Sequence, residues 1–156
     1  MSAAEHRVQM LLLAIGGHPS FQVRRDEVDR GGLSFTVDTL RDLQAERPDD
    51  DLFLLLGADA LVDFPSWKQP QEICQLATPV VVGRPDSPAP DFSTIEAWLT
   101  DRGRKLIRDV RIEMPQVDMS SSDIRRRIES GRSIRFRTPR AVEQYILTNR
   151  LYVAST

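Results

Sequence analysis

The sequence holds one cysteine, Cys74, and two histidines, His6 and His18. A single cysteine excludes an internal disulfide framework and any zinc site built on cysteines. Cys74 falls in the apolar-periodic stretch Ile73–Ala77, which fits a buried, inert thiol better than a nucleophile. Neither histidine has neighbours in sequence that suggest a metal site or a catalytic triad. Long hydrophobic runs are missing as well: nothing approaches the about 20 apolar residues that a membrane span needs. The first ten residues lack the charged start, apolar middle and small-residue cleavage site of a signal peptide. A cytoplasmic location, with no membrane partner, is the expectation. Charge of one sign is also absent. Lys and Arg total 21 against 23 Asp and Glu, a formal net charge of −2, so no overall field exists to draw nucleic acid.

What is present suits a globular protein. At 156 residues, 40% hydrophobic and 28% charged, the chain fits one domain, residues 1–156, with one core. Val8, Leu11, Leu12 and Ile15 recur at helical spacing until Gly16-Gly17 stop the run, so those glycines end a helix and do not form a nucleotide loop around His18. Phe21–Val28 alternates well enough for a short strand. Asp29–Gly32 reads as a turn, and Ser34 or Thr36 can cap a helix through Leu40 and Leu43 that ends before Pro48.

Leu52–Leu56 is a continuous apolar run between an acidic cluster and Gly57, the pattern of a strand covered on both faces in a parallel sheet. Pro79–Val82 reads the same way, and a helix from about Pro70 to Ala77 lies between them. Strand, helix, strand in that order favours a right-handed parallel crossover. A proline-rich loop (residues 86–91), a helix from Phe92 to about Arg102, a strand over Ile107–Met114, and helices over Ser121–Glu129 and Pro139–Thr148 complete an α/β pattern with a mostly parallel sheet flanked by helices.

Ligands of open parallel sheets bind beyond the carboxyl ends of the strands. Here those ends deliver Gly57 and Asp59, then Arg84, then the serines Ser120, Ser121 and Ser122. The serines precede a helix whose first N–H groups attract phosphate, and Arg125, one turn in, can present a planar fork to phosphate oxygens. Plain N-capping beside a solvated Arg125 is the competing reading, and spacing alone leaves the two level. Asp59 suits a ribose hydroxyl, a metal ion or a cap on the short helix Ala58–Asp63. Trp67 offers a flat face for a heteroaromatic ring, or simple packing.

Taken in order, these segments resemble the bacterial nicotinate-nucleotide adenylyltransferases. Ser34-Phe35-Thr36-Val37-Asp38-Thr39-Leu40 is similar to the family's S-Y-T-x-D-T-L element. Leu56-Gly57-Ala58-Asp59, followed by Phe64 and Trp67, resembles its L-G-x-D and F-x-x-W elements. Val82-Gly83-Arg84-Pro85 matches a strand ending in Arg-Pro. Met119–Arg125 is similar to the I-S-S-T-x-I-R signature of the nucleotidyltransferase superfamily, with Ser122 in place of Thr. Ser133–Phe136, Pro139, Val142, Tyr145-Ile146 and Leu151-Tyr152 resemble the C-terminal tail.

The resemblance implies a Rossmann-like nucleotidyltransferase fold and transfer of the adenylyl group of ATP to nicotinic acid mononucleotide. The products are deamido-NAD and pyrophosphate, with Mg²⁺ assisting. It implies ATP phosphates against Ser121, Ser122 and Arg125, Asp59 lining the nucleotide site, and Ser120, Gly57 and Arg84 among the substrate-binding residues. The nicotinate ring is implied to stack on Trp67, its carboxylate held by the Thr36 region and the backbone N–H of Lys68. No protein-bound metal site is implied, and self-association into a homo-oligomer is left open. Family members open with a strand and a G-G-x-F-D-P-x-H-x-G-H segment that has no counterpart here. The chain as given is therefore expected to lack the fold's first strand, to carry unpaired strand edges, and to bind nucleotide more securely than it turns over.

Overall fold

The computed structural model describes residues 3–83, 90–109, 112–113 and 119–153. These pack as two compact units, one drawn from residues 30–116 and the other from residues 1–29 with 117–156.

The first unit is an α/β layer. Helix α3 (Thr36–Glu46) is followed by strand β1 (Phe53–Gly57), helix α4 (Ala58–Asp63), a 3₁₀ turn (Phe64–Ser66), helix α5 (Pro70–Leu76) and strand β2 (Thr78–Gly83). A second 3₁₀ turn (Glu96–Trp98), helix α6 (Asp101–Asp109) and the short strand β3 (Ile112–Glu113) complete it. The sheet order is β1-β2-β3 and both pairings are parallel, as the strand–helix–strand pattern predicts.

Register decides which side chains meet. Leu54 pairs with Pro79 and Leu56 with Val81, and this face joins Val37 and Leu40 of α3, Leu61 of α4, Phe64, and Ile73 of α5 in the core. The opposite face is open, with Phe53 50% and Leu55 63% exposed. The expectation of a strand covered on both faces is corrected for β1. Leu56 shares one core cluster with residues of α3, α4 and α5, while Phe53 and Leu55 on the other side of the strand stay outside it. Pro79 has no N–H to give the ladder. It lies before the stretch where β2 pairs with β3, which begins at Val82, and there the missing donor costs little.

Three further expectations are corrected. Residues 92–102 form no continuous helix, only the 3₁₀ turn and the start of α6. Helix α6 opens where Thr100 Oγ1 accepts from the Gly103 N–H at 3.0 Å. That helix runs to Asp109, so the strand expected over Ile107–Met114 is helical at its start, and β3 among the described residues is Ile112–Glu113. At the start of α3, the N-cap position belongs to Phe35, with no side-chain cap bond, and Thr36 is the first helical residue.

The second unit is helical. Helix α1 (Ala4–Ile15) ends at Gly16-Gly17, where Gly17 takes φ +85° and the His18 N–H donates to the Ile15 carbonyl. Helix α2 (Asp26–Arg30) begins at its end, so the alternation over Phe21–Val28 makes no strand; Arg24 and Arg25 pair instead with Asp26, Glu5 and Asp29. Helices α7 (Ser121–Glu129) and α8 (Arg140–Thr148) follow. Ile128, Ile134, Val142, Ile146 and Leu151 form its core, with Met10 and Ala14 of α1 packed against them. No helix among the described residues is long and apolar enough to cross a membrane.

Candidate functional site

A cavity of about 270 Å³ opens in the α/β unit between the start of α3 and the segment that follows α4. Ser34, Phe35 and Thr36 line one side, Ser66, Trp67 and Lys68 the other. The first N–H groups of an α-helix lack partners and carry partial positive charge, so the α3 end of the cavity favours an anion. The Asp38 and Thr39 N–H groups are already committed to the Phe35 carbonyl. A larger cavity, about 330 Å³, lies where the strands begin, among Asp49, Asp50 and Asp51. That is the amino end of the sheet, and its carboxylates repel phosphate.

Trp67 is a packing residue that also borders the cavity. It packs against the core, its ring 5.2 Å from that of Phe64, and it lines the cavity. Its N–H donates to the Phe64 carbonyl at 3.0 Å, which fixes the backbone just before the cavity wall. Lys68 lies 4.2 Å above the Phe35 ring and donates to Asp38 Oδ2 at 3.2 Å. Phe35, Ser66, Asp38 and Arg41 join this neighbourhood without having been assigned a role from sequence.

Gly57 closes β1, and as the N-cap of α4 it makes no side-chain cap. Asp59 stands in the first turn of α4, exposed, at the carboxyl end of the sheet. It is therefore not the cap, and its carboxylate faces solvent. Arg84 lies outside the described residues, as does the loop that follows it.

In the helical unit the serine cluster divides its labour. Ser120 is the N-cap of α7, its Oγ accepting from the Asp123 N–H at 3.1 Å. Ser121 and Ser122 occupy the first turn, exposed, and Arg125 Nη2 reaches Ser122 Oγ at 3.3 Å. Capping thus accounts for Ser120 and leaves two hydroxyls and a guanidinium at a positive helix end. Behind them Asp123 is held below the usual carboxylate range by its hydrogen bond from Arg126, with Arg137 adding charge.

His6 and Cys74 are respectively occupied and sealed, while His18 is exposed, its ring edge-on to Phe21. His6 Nδ1 lies 2.9 Å from the Tyr145 hydroxyl. Cys74 is 2% exposed, and burial pushes its thiol up to about 11, so it is the inert thiol expected. Among the described residues no three His, Cys, Asp or Glu side chains converge to hold a metal ion.

Residues 1–127 match the cytidylyltransferase-like family model. A probable nicotinate-nucleotide adenylyltransferase of Rhodopirellula baltica is 38% identical over 97% of this chain and 71% of its own length. Counterparts from Frankia casuarinae and Thermus thermophilus are 43% and 41% identical, each over 97% of this chain and 75% of theirs. The chain belongs to the nicotinate-nucleotide adenylyltransferase family. Its fold is that of a solved Plasmodium falciparum nicotinic acid mononucleotide adenylyltransferase complexed with NaAD. The TM-score is 0.67 at 17% identity, covering 97% of this chain and 75% of the other. A second structure of that protein, complexed with APC, matches at TM-score 0.66 over 97% and 77%.

Proposed function

We propose that this adenylyltransferase joins ATP to nicotinic acid mononucleotide, with the ring seated in the cavity beside Trp67 and the ATP phosphates on α7. The observation that carries the assignment is the cavity itself. It offers an aromatic side chain on one wall and the positive end of α3 on the other, which suits a flat ring bearing a carboxylate. Thr36 and the backbone N–H of Lys68 receive that carboxylate, and an amide in its place gains nothing from the helix end. Ser121, Ser122 and Arg125 hold phosphate oxygens through hydroxyls and a charged fork, and Ser120 keeps the helix end capped.

The mononucleotide phosphate attacks the α-phosphorus of ATP in line. A new P–O–P linkage forms as the bond to the β-phosphate breaks, and pyrophosphate leaves with the electron pair. No covalent enzyme intermediate is needed, so the chain's work is placement and charge stabilisation. Mg²⁺ is held in proteins by one or two carboxylates plus substrate phosphates, and Asp59 is a carboxylate of that kind at the end of β1. When bound, the ion supplies neutralising charge to the phosphates. Gly57 and Arg84 complete the nucleotide side of the site on this reading.

Pyrophosphate release tests the proposal. Mixing the chain with ATP and nicotinic acid mononucleotide is expected to give release that nicotinamide mononucleotide does not match. Equal rates with acid and amide would remove the role of the α3 end. Calorimetric binding of both nucleotides with no pyrophosphate release would overturn the proposal of turnover by this chain.

A further inference from the structure

Between Trp67 and α5 the chain passes through a conformation that side chains resist. Gln69 is the N-cap of α5 with φ 54° and ψ 56°, the left-handed region that disfavours residues with a Cβ. Such a residue persists where its surroundings hold it, and here both ends of its amide are held. Gln69 Oε1 accepts from Arg41 Nη2 at 3.1 Å, and Gln69 Nε2 donates to Glu72 Oε2 at 2.9 Å. Arg41 also grips Glu72 with two parallel bonds, Nε to Oε1 at 2.7 Å and Nη2 to Oε2 at 2.6 Å. Its Nη1 reaches Asp38 Oδ1 at 3.1 Å, and the other oxygen of Asp38 takes Lys68 Nζ.

One guanidinium on α3 therefore engages Glu72 and Gln69 directly and Lys68 through Asp38. These residues follow the cavity wall that Trp67 forms. Isolated surface ion pairs contribute little, but a bidentate fork inside a network is the exception. We propose that Arg41 is a positioning residue for the mononucleotide cavity, setting the backbone of Trp67–Gln69 against the start of α3. Its role rests on the reading of that cavity as the ring site. Four charges take part, Arg41 and Lys68 against Asp38 and Glu72, and they balance. The network's effect is thus on shape rather than on the field in the cavity. Lysine cannot replace Arg41, because a point charge cannot span Glu72, Gln69 and Asp38 together.

Calorimetry on the full chain, with nicotinic acid mononucleotide and ATP as separate probes, tests this. Arg41→Ala is expected to raise the Kd for the mononucleotide about fivefold and to leave that for ATP within about twofold. Arg41→Lys, which keeps the charge and the helix propensity, is expected to lose most of the same affinity with an unchanged melt. Adding Glu72→Gln to Arg41→Ala is expected to cost nothing more. Full retention of mononucleotide affinity in Arg41→Lys would overturn the positioning role, as would equal weakening of both ligands. Trp67→Ala separates the two claims. If it weakens mononucleotide binding while Arg41→Ala does not, the inference alone falls. If Trp67→Ala is silent, the cavity reading falls and takes the inference with it.

Discussion

On the proposed reading, the cavity beside Trp67 and the serine-rich start of α7 would receive their ligands by opposite means. The cavity has a core residue behind its aromatic wall and a four-membered charge network next to that wall. The start of α7 is exposed, with the Ser120 hydroxyl spent on the cap and the Ser122 hydroxyl taken by Arg125. A ring is recognised by shape, which has to be held in place before the ligand arrives. A phosphate is recognised by charge and N–H groups, which an exposed helix end offers without a pocket. The contrast predicts that damage to packing should harm one ligand and loss of charge the other.

The largest effect is expected from Phe64→Ala. Phe64 is fully buried and backs Trp67, so its loss should cost about 3–5 kcal/mol in a denaturant melt and abolish mononucleotide binding. Arg125→Ala should lower ATP affinity roughly tenfold or more, the usual weight of a charged hydrogen bond, without touching the mononucleotide. Calorimetry showing the reverse pattern would erase the contrast. Trp67→Ala should weaken mononucleotide binding about three- to tenfold, the scale of one aromatic contact. Ser120→Ala removes the cap of α7 and should cost about 1 kcal/mol of thermal stability, with ATP affinity falling only as far as the helix end frays.

The smallest effect is one of pH, and here the two regions should agree. Glu72 is held below its usual 4.5 by the hydrogen bond from Arg41, and Asp123 below its usual 3.8 by that from Arg126. A carboxylate depressed by folding adds stability that is fully present above its unfolded value. That stability is lost as pH falls through the lower folded value. Circular dichroism melts should therefore hold steady down to about pH 5 and decline below it, modestly, because both groups are largely solvated. Glu72→Gln should flatten part of that decline.

Where local signals were complete, the sequence was sufficient. The bounds of α4 and α7 follow from Gly57 and from Ser120, each standing just before a helix. The parallel β1-β2 pairing follows from two apolar runs with a helix between them. Alternation over Phe21–Val28 misled because a strand also needs a neighbour, and Asp26, Glu27 and Asp29 suit the first turn of a helix. The open face of β1 was hidden for a related reason. Leu52–Leu56 is apolar throughout, and only the side taken by α3, α4 and α5 tells which residues are covered. In the site, the serines were legible as a hydroxyl cluster just before a helix, and Trp67 as an aromatic in a loop between two sheet elements. Arg41 and Glu72 were not, since they lie 31 residues apart and meet only once α3 packs on α5.

Cys74 gives these regions a clock. It is the single thiol of the chain, sits on α5 directly after Ile73, and is sealed by the same core that backs Trp67. Cys74 is only 2% exposed, so its labelling rate should rise with openings of the α/β unit, with no background from another thiol. Ligand that seats in the cavity should slow the count. A labelling trace would then report occupancy without any label placed at the site.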